Sequence, residues 1–254
     1  MPLRAPTLVL LVLLVLLAAA VPAAGAAVPR SAAKAVLADC ERGDDDLDRA
    51  AVFDGQMRTL PGASRMQMRF TLQSRTPDTT RWSAVAAPGF GTWVGSAPGT
   101  SRYVYTKRVE NLLAPASYRV LLRFRWLRSS GRALASAKRY SPACRQPDPR
   151  PNLVVSSLAV QPTGRAGRNR YVAFVRNTGR SAAAVSSLRV ALDGTALPLA
   201  PVAALEPGEG VVVTVEGPAC TEAAPVDANA DAGEVVDERD EADNRFTRLC
   251  PPPS

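Results

Sequence analysis

The chain contains no histidine. That one absence excludes Ser-His-Asp triads, Cys-His dyads, His-ligated zinc and imidazole proton shuttles together. Lysine is scarce as well, with 3 residues against 28 arginines. In an alanine-rich chain this imbalance reads first as coding bias and second as an arginine-based recognition surface. There are only 4 cysteines and no C-x-x-C spacing, which argues against a four-thiolate zinc site. Neither a G-x-S-x-G elbow nor a G-x-x-x-x-G-K phosphate loop occurs. What the chain does have is 22 prolines and 17 glycines in 254 residues, the material of many turns in one or two domains.

The net charge of +8 conceals an asymmetry. Residues 28–150 carry 21 Lys and Arg against 10 Asp and Glu, whereas residues 151–254 carry 9 against 13. A basic half followed by an acidic half supports two domains that could attract each other or different partners.

Residues 1–27 read as a secretory signal. Arg4 is the charged start, Leu8 to Ala20 is the apolar run, and Val21-Pro22-Ala23 and Ala24-Gly25-Ala26 are small-residue cleavage sites. The run is short for a spanning helix, and an uncleaved N-terminal anchor is the alternative. No sorting motif or hydrophobic tail follows Cys250, so no membrane association beyond the signal is expected. The protein is therefore expected to be secreted, or to sit at the cell surface or in the periplasm. Export makes disulfides the reading for Cys40, Cys144, Cys220 and Cys250. The first two bracket one domain and the last two lie in a second, so the expected pairs are Cys40–Cys144 and Cys220–Cys250.

From Arg49 the hydrophobic period is 2. Met66, Met68, Phe70 and Leu72 alternate with Arg65, Gln67, Arg69, Thr71 and Gln73, and Tyr118, Val120, Leu122, Phe124 and Trp126 alternate with Arg119, Leu121, Arg123 and Arg125. Clean alternation means antiparallel sheets with one wet face. Shorter candidate strands lie near Ala50–Phe53, Trp82–Ala87, Gly91–Val94, Arg102–Val109 and Leu134–Tyr140, about seven in all, a sandwich number. The outward arginines form a candidate basic patch. Nucleic acid is not expected there, because Tyr118, Phe124 and Trp126 lie on the opposite, core face. An anionic polymer of the cell envelope is the better partner for it. Trp82, Phe90 and Trp93 lie near loops, where core burial is the more common fate of an aromatic ring. Pro142 to Pro151 reads as a Pro-rich, extended linker.

The segment Val109 to Val120, with Leu112, Pro115 and Tyr118, resembles the tyrosine corner of fibronectin type III and related immunoglobulin-like domains. The resemblance implies a structural role for Tyr118. Phe70 stands where that family usually has a tryptophan.

The second half has strands marked off by turn signals: Asn152-Leu153-Val154-Val155, Asn177-Thr178-Gly179, Asp193-Gly194, Leu205 with Pro207-Gly208, Val226-Asp227, and Val235-Val236-Asp237-Glu238 through Asp243-Asn244. In this order they resemble the CARDB family, the cell adhesion related domain found in bacteria. The resemblance implies a seven-stranded immunoglobulin-like sandwich that serves as an extracellular interaction or spacer module. Asn177 and Gly179 are expected to supply turns with positive φ, and Pro207-Gly208 a corner. Glu238, Asp243 and Asn244 are expected to accept backbone N–H bonds in the last hairpin. The acidic cluster also raises a calcium hypothesis on Asp231, Asp237, Glu238, Asp240 and Asp243, though the spacing is not an EF-hand loop. No other cofactor is expected.

The expected architecture is all-β: a signal at 1–27, an immunoglobulin- or fibronectin-like sandwich at 28–145, a linker at 146–151 and a CARDB-like sandwich at 152–250. The expected function is a non-enzymatic, adhesion-type interaction protein of the envelope or extracellular space, with a protein or an anionic envelope polymer as partner. The alternatives are a spacer or accessory subunit without a ligand of its own and, more remotely, a carbohydrate-active enzyme, which would need paired carboxylates in a cleft.

Overall fold

A computed structural model describes residues 28–43 and 45–252. The segment read as a signal, 1–27, lies outside the described residues. Apart from two single-turn 3-10 helices at Arg30–Ala32 and Asp46–Asp48, the regular elements are strands. Among the described residues no helix is long and apolar enough to cross a membrane. Two immunoglobulin-like antiparallel sandwiches follow each other along the chain, each with its own apolar core.

The first sandwich comprises β1 (Ala33–Glu41), β2 (Ala50–Arg58), β3 (Arg65–Arg75), β4 (Ser83–Ala84), β5 (Trp93–Gly95), β6 (Arg102–Glu110), β7 (Ala116–Leu127), β8 (Ala133–Tyr140) and β9 (Cys144–Gln146). One sheet has the order β1-β2-β6. The other has six strands, β4-β3-β7-β8 with β5 on β3 and β9 on β7. Period-2 patterning decides the inner face. Met66, Met68, Phe70 and Leu72 of β3 interleave with Val120, Leu122, Phe124 and Trp126 of β7, all essentially buried. Each such side chain contributes roughly 1.5–3 kcal/mol through burial. The Trp126 indole N–H donates to the Arg58 carbonyl at 2.8 Å, so its polar atom is satisfied inside the core. The Tyr118 hydroxyl donates to the Leu113 carbonyl at 3.0 Å, reaching back over Ala114-Pro115.

Two strands of this sandwich escape the periodic pattern. β1 is an alanine-rich edge strand of mixed burial, so its residues show no clean alternation. β9 lies inside the stretch read as a linker. There the Ser141 N–H donates to the Val120 carbonyl and the Ser141 hydroxyl accepts the Val120 N–H, carrying the edge past Pro142 to Cys144. Cys144 is disulfide-bonded to Cys40 of β1, which joins the two sheets.

The second sandwich comprises β10 (Leu153–Pro162), β11 (Arg168–Asn177), β12 (Ser186–Leu192), β13 (Thr195–Ala196), β14 (Ala200–Val202), β15 (Gly210–Pro218), β16 (Pro225–Asn229) and β17 (Arg245–Leu249). One sheet is β10-β11-β15. The other is β13-β12-β16-β17, with β14 on β12. Cys220 and Cys250 are bonded to each other. Asp193 and Gly194 both have positive φ, 45° and 79°, and form a two-residue hairpin turn. Glu206-Pro207-Gly208-Glu209 is a tight turn closed by the Glu209 N–H on the Glu206 carbonyl, with Gly208 at φ 83°.

Positive φ does not occur at Asn177 or Gly179, contrary to the sequence expectation. Asn177 closes β11 in extended geometry. Gly179 is required for a different reason: a Cβ there would sit 2.4 Å from the Cα and carbonyl carbon of Pro151. Only glycine lets the two backbones come that close.

Candidate interaction face

The outer face of the six-stranded sheet is built by the same alternation that builds the core. Its cross-strand rows are read from the pairing. Arg69 lies opposite Arg123, and Arg123 lies opposite Lys138. Gln73 pairs with Arg119, and Gln67 with Arg125. None of the six strands contains an Asp or Glu. Among the described residues none of Arg69, Arg119, Arg123, Arg125 and Lys138 forms an ion pair. The opposite sheet is mixed in sign, and there Arg108 bridges Glu41 and Glu110.

Aromatic rings reach this face from outside the two long strands. The Arg119 guanidinium lies 4.1 Å from the Trp82 ring centroid and 4.3 Å from that of Tyr140, and its Nε donates to Gln73 at 3.0 Å. Arg75 lies 5.0 Å from the same Trp82 ring. Arg125 lies 3.5 Å from Trp93. Each stack contributes on the order of 0.5–2 kcal/mol. Burial lowers the Arg119 guanidinium below its ordinary value; Tyr140 opposes this and Arg75 adds to it. It stays charged throughout the physiological range.

This corrects two expectations. Trp82 and Trp93 are not core residues, whereas Phe90 does pack on the core, edge-on to Phe70. The arginine face is also not devoid of aromatics. Tyr140 was accessible to pattern reading, since it alternates with Lys138 and Ser136 on β8. Trp82 precedes a two-residue strand and Trp93 opens a three-residue one, too short for any period.

A buried polar cluster holds the start of the second sandwich. Asn177 is fully buried, and all its side-chain polar atoms are used. Its Oδ1 accepts the N–H groups of Asn152 (3.1 Å) and Gly179 (2.9 Å), and its Nδ2 donates to the carbonyls of Ser181 (2.8 Å) and Leu205 (2.9 Å). Asn152 donates through Nδ2 to Asp243 at 3.1 Å. Glu238 is 1% exposed. Its Oε2 accepts the Leu153 N–H and its Oε1 the Asn244 Nδ2–H. Glu238 and Asp243 thus tie the last hairpin to Leu153 and Asn152, across the sheet order, while the Asn244 side chain stays within the hairpin and donates to Glu238 rather than accepting a backbone N–H there.

A family model for CARDB matches residues 150–248. These residues are a CARDB domain. The CARDB domain of a Pyrococcus furiosus protein, solved in complex with di-metal ions, is 26% identical over 39% of this chain and 84% of that one, with a TM-score of 0.33. A domain of a Methanosarcina acetivorans protein named for the cell surface is 23% identical over 40% of this chain and 91% of that one, with a TM-score of 0.36. An exo-chitosanase of Amycolatopsis orientalis is 13% identical over 78% of this chain and 25% of that one, with a TM-score of 0.28. At these TM-scores the likenesses assign nothing to this chain. No curated protein matches it.

The acidic loop of the CARDB domain caps its own backbone. Asp231 accepts the N–H groups of Val235 and Val236, and Asp240 that of Ala242. Asp237 meets the Arg150 guanidinium at 2.7 Å, and Asp243 meets Asn152. Among the described residues no three His, Cys, Asp or Glu stand where they could hold a metal ion. In this arrangement the five carboxylates do not form the six-to-eight-oxygen cage that calcium takes.

Burial raises the Glu238 carboxyl to about 7; the Leu153 N–H and the Asn244 amide oppose the rise, while Glu241 and Asp231 add to it. The folded CARDB domain therefore holds a proton that the unfolded chain releases above its ordinary value of 4.5. The associated stability is fully present below that value and is lost as pH rises through about 7. Calorimetric melts should show the CARDB transition falling between pH 5 and pH 8, by an amount on the order of 2–3 kcal/mol. Glu238→Gln should flatten the fall. An undiminished fall in that variant would assign it to other groups.

Proposed function

We propose that this is an exported, non-enzymatic interaction protein of adhesion type, acting at the cell envelope or in the extracellular space. The observation that carries the reading is the CARDB domain at 150–248, a module that fits an adhesion-type extracellular role. Two disulfides suit an oxidising compartment. The proposed layout is a signal at 1–27, a first sandwich at 28–145, a linker at 146–151 and the CARDB sandwich at 152–250. Its partner is a protein or an anionic envelope polymer. The lack of histidine and the structural use of Asp231 and Glu238 support the non-enzymatic reading.

The test is co-sedimentation of the mature, oxidised protein with purified envelope from its own organism. The expected result is that the protein pellets with the envelope at low ionic strength, and that unlabelled protein competes the label away. Protein that stays in the supernatant at every salt concentration would replace this reading with that of a spacer.

A further inference from the structure

The row Arg69, Arg123, Lys138 places three cations side by side on three adjacent strands. Like charges directly opposite each other in a sheet are destabilising by roughly 0.2–1 kcal/mol a pair. Here no acidic residue on any of the six strands relieves them. An anion lying across the row would offset that cost.

The neighbouring guanidiniums narrow down which anion. Arg119 is held between Trp82 and Tyr140, and Arg125 is stacked on Trp93. Those rings are thereby capped by cations and are not open platforms for bases, which single-stranded nucleic acid binding uses. The Arg119 Nε is engaged by Gln73 and the Arg125 Nε is buried, so what the stacked guanidiniums offer a planar carboxylate is their pair of terminal NH2 groups. Their rotamers are already fixed by the stacks, so little conformational entropy remains to be lost on binding. The row itself advances about 4.8 Å per strand, so its three cations span roughly 10 Å of an extended ligand laid across the strands.

We propose that this face of the first sandwich binds an acidic polysaccharide bearing a carboxylate on successive rings, laid across β3, β7 and β8. The proposal rests on the reading of the protein as an envelope interaction protein and supplies the class of its ligand. Arg69, Arg123 and Lys138 pair with the carboxylates that the polymer turns toward the sheet, and the clamped Arg119 and Arg125 flank the row.

The test uses the mature oxidised chain and titration calorimetry. The probe is polygalacturonate, compared with its fully methyl-esterified form, polyphosphate and single-stranded oligo-dT. The proposal expects polygalacturonate to bind at least tenfold tighter than each of the other three. Arg123→Gln/Lys138→Gln should weaken polygalacturonate at least tenfold. Lys34→Gln/Arg102→Gln, which removes the same charge from exposed positions on the opposite sheet, should change it less than twofold. Neutralising the row should also leave the melting temperature unchanged or raise it, an effect opposite to that of losing a structural residue. Arg125→Lys keeps the charge but loses the fork and the flat stack, and should weaken binding severalfold. Equal binding of the esterified polymer, of polyphosphate or of oligo-dT overturns the proposal, as does a row variant that binds like the parent. A protein that pellets with envelope yet binds no polygalacturonate would leave the envelope reading standing and remove this one.

Discussion

Replacing Cys40 and Cys144 together with alanine is expected to destabilise the first sandwich by about 4–5 kcal/mol, the larger of the two disulfide effects. The bridge closes a loop of 104 residues, whereas Cys220–Cys250 closes one of 30. Loop-closure entropy grows with the logarithm of that length, so the second bridge contributes about 3.6 kcal/mol by the same reasoning. Position adds to the difference. Cys144 is fully buried and its bond joins β1 of one sheet to β9 of the other. Both ends of the first sandwich meet there, and the Gln146 amide donates to the Glu41 carbonyl beside the bond at 2.9 Å. Denaturant unfolding of the two double variants would measure both effects. A larger loss from Cys220→Ala/Cys250→Ala would show that loop length does not govern the order.

Asn177→Ala should cost the CARDB domain about 3–4 kcal/mol. Four hydrogen bonds disappear with one fully buried side chain, and two of the partners, Asn152 and Leu205, are themselves buried away from water. The backbone N–H of Asn152 would be left buried and unpaired, at roughly 1–3 kcal/mol, whereas the Leu205 carbonyl would keep only the Ala183 N–H. Asn177→Asp is the sharper probe. It keeps an acceptor toward Asn152 and Gly179 but turns an oxygen toward the carbonyls of Ser181 and Leu205, and it adds a buried charge. It should therefore be no better tolerated than alanine. Urea unfolding measures both, and a loss below 1 kcal/mol for Asn177→Ala would contradict the account of the cluster.

Asn177 also shows where sequence reading stops. Its importance was legible, since Asn-x-Gly is a strong local signal, but the reason drawn from it was local as well. The structure replaces a turn conformation with a long-range one: Asn177 bonds Asn152 and Leu205, and Gly179 yields to Pro151. Glu238 follows the same course. In sequence it reads as an acceptor of a backbone N–H within the last hairpin, yet it is buried and accepts the N–H of Leu153, far away in sequence. Cys40 and Cys144 were paired correctly because cysteine spacing within domains leaves few choices, while the strands that bring them together, β1 and β9, have no period to betray them.

By itself the sequence determined the all-β class, the two sandwiches, the disulfide pairs and the inner and outer members of β3 and β7. These follow from properties that act along the chain: side chains alternate across a strand, and proline, glycine and asparagine punctuate it. Tertiary structure alone decided that Arg69, Arg123 and Lys138 share a row, that Trp82, Trp93 and Tyr140 join the arginines, and that the acidic loop braces β10. The register between strands and the path of irregular loops set those meetings. Both are fixed by packing between segments distant in sequence, which no local pattern encodes.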